Sequence, residues 1–139
     1  MLTRNSPTTY YEDASGPAGL EYEMAKMFAD ELGVKLTLLI PESFNDLLAK
    51  ISDNSAHITA AGLTITRDRE KIYRFGPAYQ EIIEQLVYNV GNKRPRSLSK
   101  LNGGSLEVVA NSSHDERLKH LSKLIPCLLY TSPSPRDRS

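Results

Sequence analysis

Between Leu2 and Ala61 short apolar runs alternate with helix-period stretches, and this order leaves few folds open. Leu20, Met24, Met27, Phe28 and Leu32 recur on one face of a helix predicted from about Leu20 to Leu32, with Gly33 as its stop. That face is expected to pack on a sheet. Val34 to Ile40 is apolar and partly β-branched, so it reads as a strand ended by Pro41. Ser43 then caps a second helix, in which Phe44, Leu47, Leu48 and Ile51 follow the spacing of a buried face. The strand His57 to Ala61 comes next. Strand, helix, strand, helix, strand with short connections predicts right-handed crossovers and an α/β fold, a mostly parallel sheet with helices on both faces.

Downstream, Glu84 to Val90 reads as a further strand, followed by a polar connector with a short helix around Ser97 to Leu101 and a Gly-Gly turn. Leu106 to Ala110 is predicted as a strand. Ser113, His114, Asp115 and Glu116 have the pattern of a capping box, and Leu118, Leu121 and Leu124 line the helix it opens. The chain is 139 residues long and 40% hydrophobic, enough for one ordinary core and too short for two complete lobes.

Charge and cysteine usage narrow the chemistry. Lys+Arg and Asp+Glu are balanced at 17 each, so no electrostatic footprint argues for nucleic acid. No apolar run approaches a membrane span, and Met1 is followed by Leu2, Thr3, Arg4 and Asn5 without the pattern of a signal peptide. The single cysteine, Cys127, has no internal disulfide partner. No Cys/His cluster has metal-ligand spacing, no phosphate loop or catalytic triad occurs, and no cofactor is implied. His57, His114, His120, Glu81 and Glu84 are given no chemistry.

The segment from Ala61 to Tyr79, AGLTITRDREKIYRFGPAY, concentrates the remaining signal. It reads as a buried strand running into a Thr-rich turn and a short helix that contains an arginine. An arginine beside free N–H groups and hydroxyls at the carboxyl end of a strand makes a corner suited to a carboxylate. The alternative is a surface arginine, Arg69, paired with Asp68 or Glu70.

With GLEYEMAKMFADELGVK upstream, this segment resembles lobe I of the family 3 extracellular solute-binding proteins, and the likeness extends over roughly Leu2 to Pro126. The resemblance implies a periplasmic-binding-protein-like lobe I over residues 1–90, with its first strand truncated, and a hinge and start of lobe II over 91–126. It implies that Arg69 and Thr64, five residues apart, grip a ligand carboxylate together. Gly62 and Leu63 would offer backbone groups, Gly62 because a missing Cβ permits close approach. Tyr10 and Tyr11 would stand against the ligand's side chain, or else pack on Phe75 or Tyr79. Asn5 falls where amino-acid binders often carry an acid. Ser112 and Ser113 match the lobe II turn that closes over the carboxylate, although capping alone would account for them. Asn111 stands in place of the usual glycine and tolerates left-handed angles.

A narrower resemblance, carried by NSPTTYYED, AAGLTITRDREKIYRFGPAY, QLVYNVGNKRPRSLSKL and VVANSSHDERL, is to the non-catalytic front domain of the membrane-bound lytic murein transglycosylase F family. It implies a periplasmic domain that recognises an amino acid or a peptidoglycan-derived peptide, is not itself an enzyme, and regulates a covalently linked lysozyme-like domain at the outer membrane. The alternatives are a binding protein of an amino-acid uptake system and, more distantly, a periplasmic dehydratase on the same fold. From Cys127 to Ser139 the pattern gives way to a Ser/Pro/Arg tail that can be encoded by a transposase sequencing adapter read in frame, and an artefactual, disordered tail is expected.

Overall fold

The computed structural model describes residues 1–101, 103–124 and 129–131. The chain forms two compact units, Met1–Thr64 and Ile65–Ser139. The division falls inside the stretch 1–90 expected as lobe I. Its physical reason is that Thr66 and Arg69 are hydrogen-bonded to Glu116, which ties the start of the second unit to residues far along the chain.

In the first unit Met1–Thr3 is the middle row of a parallel arrangement. Leu2 bridges Leu39 on one side and Thr59 on the other. The Leu2 N–H donates to the Ile58 carbonyl at 2.9 Å, and the Ala60 N–H donates to the Leu2 carbonyl at 2.9 Å. On the opposite edge the Thr3 N–H reaches the Leu39 carbonyl at 3.0 Å. The two predicted strands therefore flank Leu2, but among the described residues they meet it only at these bridges, and Val34–Leu38 has no ladder of its own. Leu2, Leu47 and Ala61 are buried together, with Phe44, Ile51, Ala56 and Leu63 packed around them.

Ahead of the first helix, β1 (Tyr11–Asp13) and β2 (Gly16–Ala18) form an antiparallel hairpin with Tyr11 opposite Ala18. The Asp13 carboxylate accepts from the Ser15 N–H at 2.7 Å and fixes its turn. Gly19, at φ 128°, lies so close to the incoming loop that a Cβ there would sit 2.4 Å from the Thr9 carbonyl oxygen. Gly19→Ala is expected to destabilise the chain by roughly 1–3 kcal/mol, through backbone strain and a clash that only backbone movement relieves. Urea unfolding measures it, and an unchanged midpoint would contradict the packing.

Helix α1 (Leu20–Glu31) has its predicted limits, with Leu32 at its C-cap and Gly33 at φ 64°. Its buried face is different from the one expected. Glu21, Ala25 and Ala29 face inward, while Leu20, Met24, Met27, Phe28 and Leu32 are exposed, Met27 at 70%. Glu21, Ala25 and Ala29 each lie three residues before Met24, Phe28 and Leu32, so the two rows adjoin on the helix surface, and the small alanines permit the closer approach. Helix α2 (Phe44–Ser52) matches its prediction, with the Ser43 hydroxyl accepting from the Asp46 N–H at 3.1 Å.

The second unit begins with a 3-10 helix, Arg69–Lys71, and continues through another, Leu98–Leu101. The predicted strand Glu84–Val90 is not formed. No partner strand pairs with it among the described residues, and its side chains are exposed, Val90 at 99%. The strand expected at Leu106–Ala110 appears as β3 (Ser105–Glu107). In α3 (Ser113–Ser122) the cap is Ser112, one residue earlier than predicted, because its hydroxyl accepts from the Asp115 N–H at 3.2 Å. Leu118 is buried among Leu101, Leu106, Val108 and Leu121. Leu124 lies beyond the helix and is exposed.

Three residues of the tail expected to be disordered form a strand. Leu129–Thr131 forms β4, paired in parallel with β3 so that Ser105 faces Leu129, and a Leu-Tyr-Thr run has the composition of a strand. The rest of Cys127–Ser139 lies outside the described residues.

Candidate functional site

Within the first unit the turn after the strand is set by a carboxylate. Glu21, 5% exposed at the start of α1, accepts from the Gly62 N–H with both oxygens, at 2.9 and 3.1 Å. Gly62 adopts φ 62°, and a Cβ there would press on Thr9 Cγ2 at 3.3 Å, with Arg4 Nη2 in ordinary contact at 3.5 Å. The Thr9 hydroxyl in turn donates to the Arg4 carbonyl at 2.5 Å. Helix start, loop and strand end are thereby fixed together. The Gly62 N–H is already committed to Glu21, and the Leu63 side chain packs in the core around Leu2 and Leu47.

The aromatic pair of the loop divides. Tyr10 is buried, meets Tyr22 edge-on at 5.7 Å between centroids, and donates its hydroxyl to Glu12 at 2.7 Å. That hydrogen bond, followed by burial, raises the Tyr10 phenol above its ordinary range. Its ring partner is Tyr22, and within the second unit Phe75 packs against Tyr73. Tyr11 is exposed, as is Asn5, whose backbone bridges to Tyr10.

The second unit holds the arginine. Arg69 is 4% exposed, and its Nε donates to Glu116 Oε1 at 2.9 Å while Nη2 donates to the Asn111 carbonyl at 3.1 Å. Thr66 Oγ1 donates to Glu116 Oε2 at 2.7 Å and accepts from the Arg69 N–H at 3.2 Å. The surface pairing with Asp68 or Glu70 is thus not what Arg69 makes. Asp68 is held instead by Lys71 at 2.6 Å and His120 at 3.5 Å. Asn111 has φ 59°, the left-handed conformation expected of it, and its N–H donates to Asp115 at 3.0 Å. Ser112 caps α3 and Ser113 is buried.

Thr64 is half-buried at the end of the first unit. The residues missed from sequence are Glu21, Thr66 and Glu116. Thr66 and Glu116 carried a local signal, a second hydroxyl in the Thr-rich turn and an acid in the first turn of α3, but nothing local joined them.

The hydrogen bond from Lys71, then the charges and hydrogen bond of Lys71 and His120, hold the Asp68 carboxyl below its ordinary value of 3.8. A folded value below the unfolded one means that the stabilisation is present above the unfolded value and is lost as pH falls through the folded one. Carbon-13 titration of the Asp68 carboxyl is expected to give a midpoint below 3.8, and a midpoint at or above it would contradict the pairing.

Among the described residues no group of three or more His, Cys, Asp or Glu side chains could hold a metal ion, and no helix is long and apolar enough to cross a membrane. The α/β fold is that of the periplasmic amino-acid-binding proteins. The profile of the bacterial extracellular solute-binding proteins, family 3, matches residues 1–127, and the chain belongs to that family.

The chain is 47% identical over 121 residues to membrane-bound lytic murein transglycosylase F 1 of Alkalilimnicola ehrlichii, covering 87% of this chain and 24% of the relative. It is 41% identical over 123 residues to membrane-bound lytic murein transglycosylase F of Saccharophagus degradans, covering 88% and 25%. The chain thus spans about a quarter of these relatives. Among solved structures it is similar to an ancestral arginine-binding protein bound to arginine, with TM-score 0.69, 24% identity and coverage of 95% of this chain and 59% of the other. It is also similar to an ancestral amino-acid-binding protein described as a precursor of cyclohexadienyl dehydratase, with TM-score 0.68, 19% identity and coverage of 96% and 60%. These likenesses establish the fold.

Proposed function

We propose that the chain is part of a periplasmic domain that binds a small carboxylate-bearing solute, an amino acid or a peptidoglycan-derived peptide, and that this domain is the regulatory sensor of a lytic murein transglycosylase. Arg69 and Thr64 hold the ligand carboxylate, Gly62 and Leu63 contribute backbone groups, Tyr11 and Asn5 face the rest of the ligand with Tyr10 supporting the loop from beneath, and Ser112 and Ser113 close over it. Residues 1–90 act as lobe I and 91–126 as hinge and start of lobe II. The observation that carries this reading is the buried Arg69 guanidinium, which already holds a carboxylate, that of Glu116. A desolvated guanidinium matches carboxylate geometry and strongly discriminates against neutral groups.

The transglycosylase context is favoured over amino-acid uptake by the identity of 41–47% to the transglycosylase relatives, against 24% or less to the binding proteins. The linked catalytic domain is the implied partner, tethered with this one to the outer membrane. Thermal-shift measurement on a protein carrying the complete solute-binding domain, with a panel of L-amino acids and muropeptides, tests the reading. Stabilisation by at least one carboxylate-bearing member and by none of the corresponding amides is expected; a flat response to the whole panel would contradict it.

A further inference from the structure

We propose that Glu116 is the resident carboxylate of the Arg69 corner, so that a ligand carboxylate enters by exchange for it and not by filling an open site. This rests on the reading of Arg69 as the carboxylate grip. Both Glu116 oxygens are held, Oε1 by Arg69 Nε at 2.9 Å and Oε2 by the Thr66 hydroxyl at 2.7 Å. One guanidinium and one threonine hydroxyl on one carboxylate is the recognition chemistry assigned to the ligand, with Thr66 supplying the hydroxyl.

Burial explains why a resident anion is needed. Arg69 is 4% exposed, and a guanidinium removed from water without an anion is costly, so the corner is stable between ligands only if something negative fills it. Glu116 suits an exchangeable role because it is less enclosed than its partner, with 23% of its side chain exposed, and it stands in the first turn of α3 with a path to solvent. The Asn111 carbonyl keeps the guanidinium oriented through Nη2 at 3.1 Å when Glu116 leaves. Glu116 thereby sets specificity, since a solute without a carboxylate cannot replace what it displaces.

The apparent affinity of such a corner is reduced by the fraction of time that Glu116 occupies it. Sodium acetate is the probe, and the Arg69 Nε–H resonance of the nitrogen-15-labelled 139-residue chain is the readout. In Glu116→Ala the Nε–H resonance should respond to acetate with a midpoint about ten-fold below that of the unsubstituted chain, the size expected if Glu116 holds the corner about nine-tenths of the time. Glu116→Gln, which keeps the side chain's shape and loses its charge, should lie between the two and guards against a helix damaged by alanine. Equal midpoints in all three would overturn the exchange and leave the grip standing. An Nε–H resonance indifferent to acetate in every variant would overturn the exchange and the grip together.

Discussion

Arg69→Ala is expected to have the largest effect on the second unit, lowering stability by roughly 1–3 kcal/mol because the partly buried Glu116 carboxylate loses its cation and an N–H donor. The pair is asymmetric, with Arg69 almost fully enclosed and Glu116 partly open, so some of the loss is recovered by hydration of Glu116. The double variant Arg69→Ala with Glu116→Ala should therefore lose less than the sum of the two single changes. Chemical denaturation of the four chains measures this cycle. Additive losses would mean that the two side chains are not coupled.

Leu47→Ala is expected to cost about 2–5 kcal/mol, by lost transfer energy and by the cavity left beside Leu2 and Ala61. Leu47 is 1% exposed and is the helix α2 side chain that the rows of Met1–Thr3 and Thr59–Ala61 close over. Leu48→Ala on the same helix should cost much less, because Leu48 is not among the buried residues. A loss below 1 kcal/mol for Leu47→Ala would show that this cluster is not the core of the first unit.

Helix α2 was legible because its signals are local: Ser43 caps it, and Phe44, Leu47 and Ile51 recur at helical spacing. The ends of α1 were legible for the same reason. Its buried face was not, since the row of Glu21, Ala25 and Ala29 adjoins the larger apolar row, and only the packing partner decides between them. Glu84–Val90 has the composition of a strand, but a strand requires partners supplied by other parts of the chain. The carboxylate corner divides in the same way. Arg69 stood out in its own segment, whereas Glu116 lies 47 residues beyond it and reaches it only through the fold.

Calorimetric titration of the complete solute-binding domain with L-amino acids and muropeptides, in the unsubstituted protein and in Arg69→Ala, tests the central claim most directly. Arg69→Ala should weaken binding of the responsive solute by about 2–5 kcal/mol, Arg69→Lys should restore only part of it, and Thr64→Val should lose less than Arg69→Ala. Unchanged affinity in Arg69→Ala, with the fold intact by circular dichroism, would contradict the account and leave Arg69 with a structural partnership to Glu116 alone.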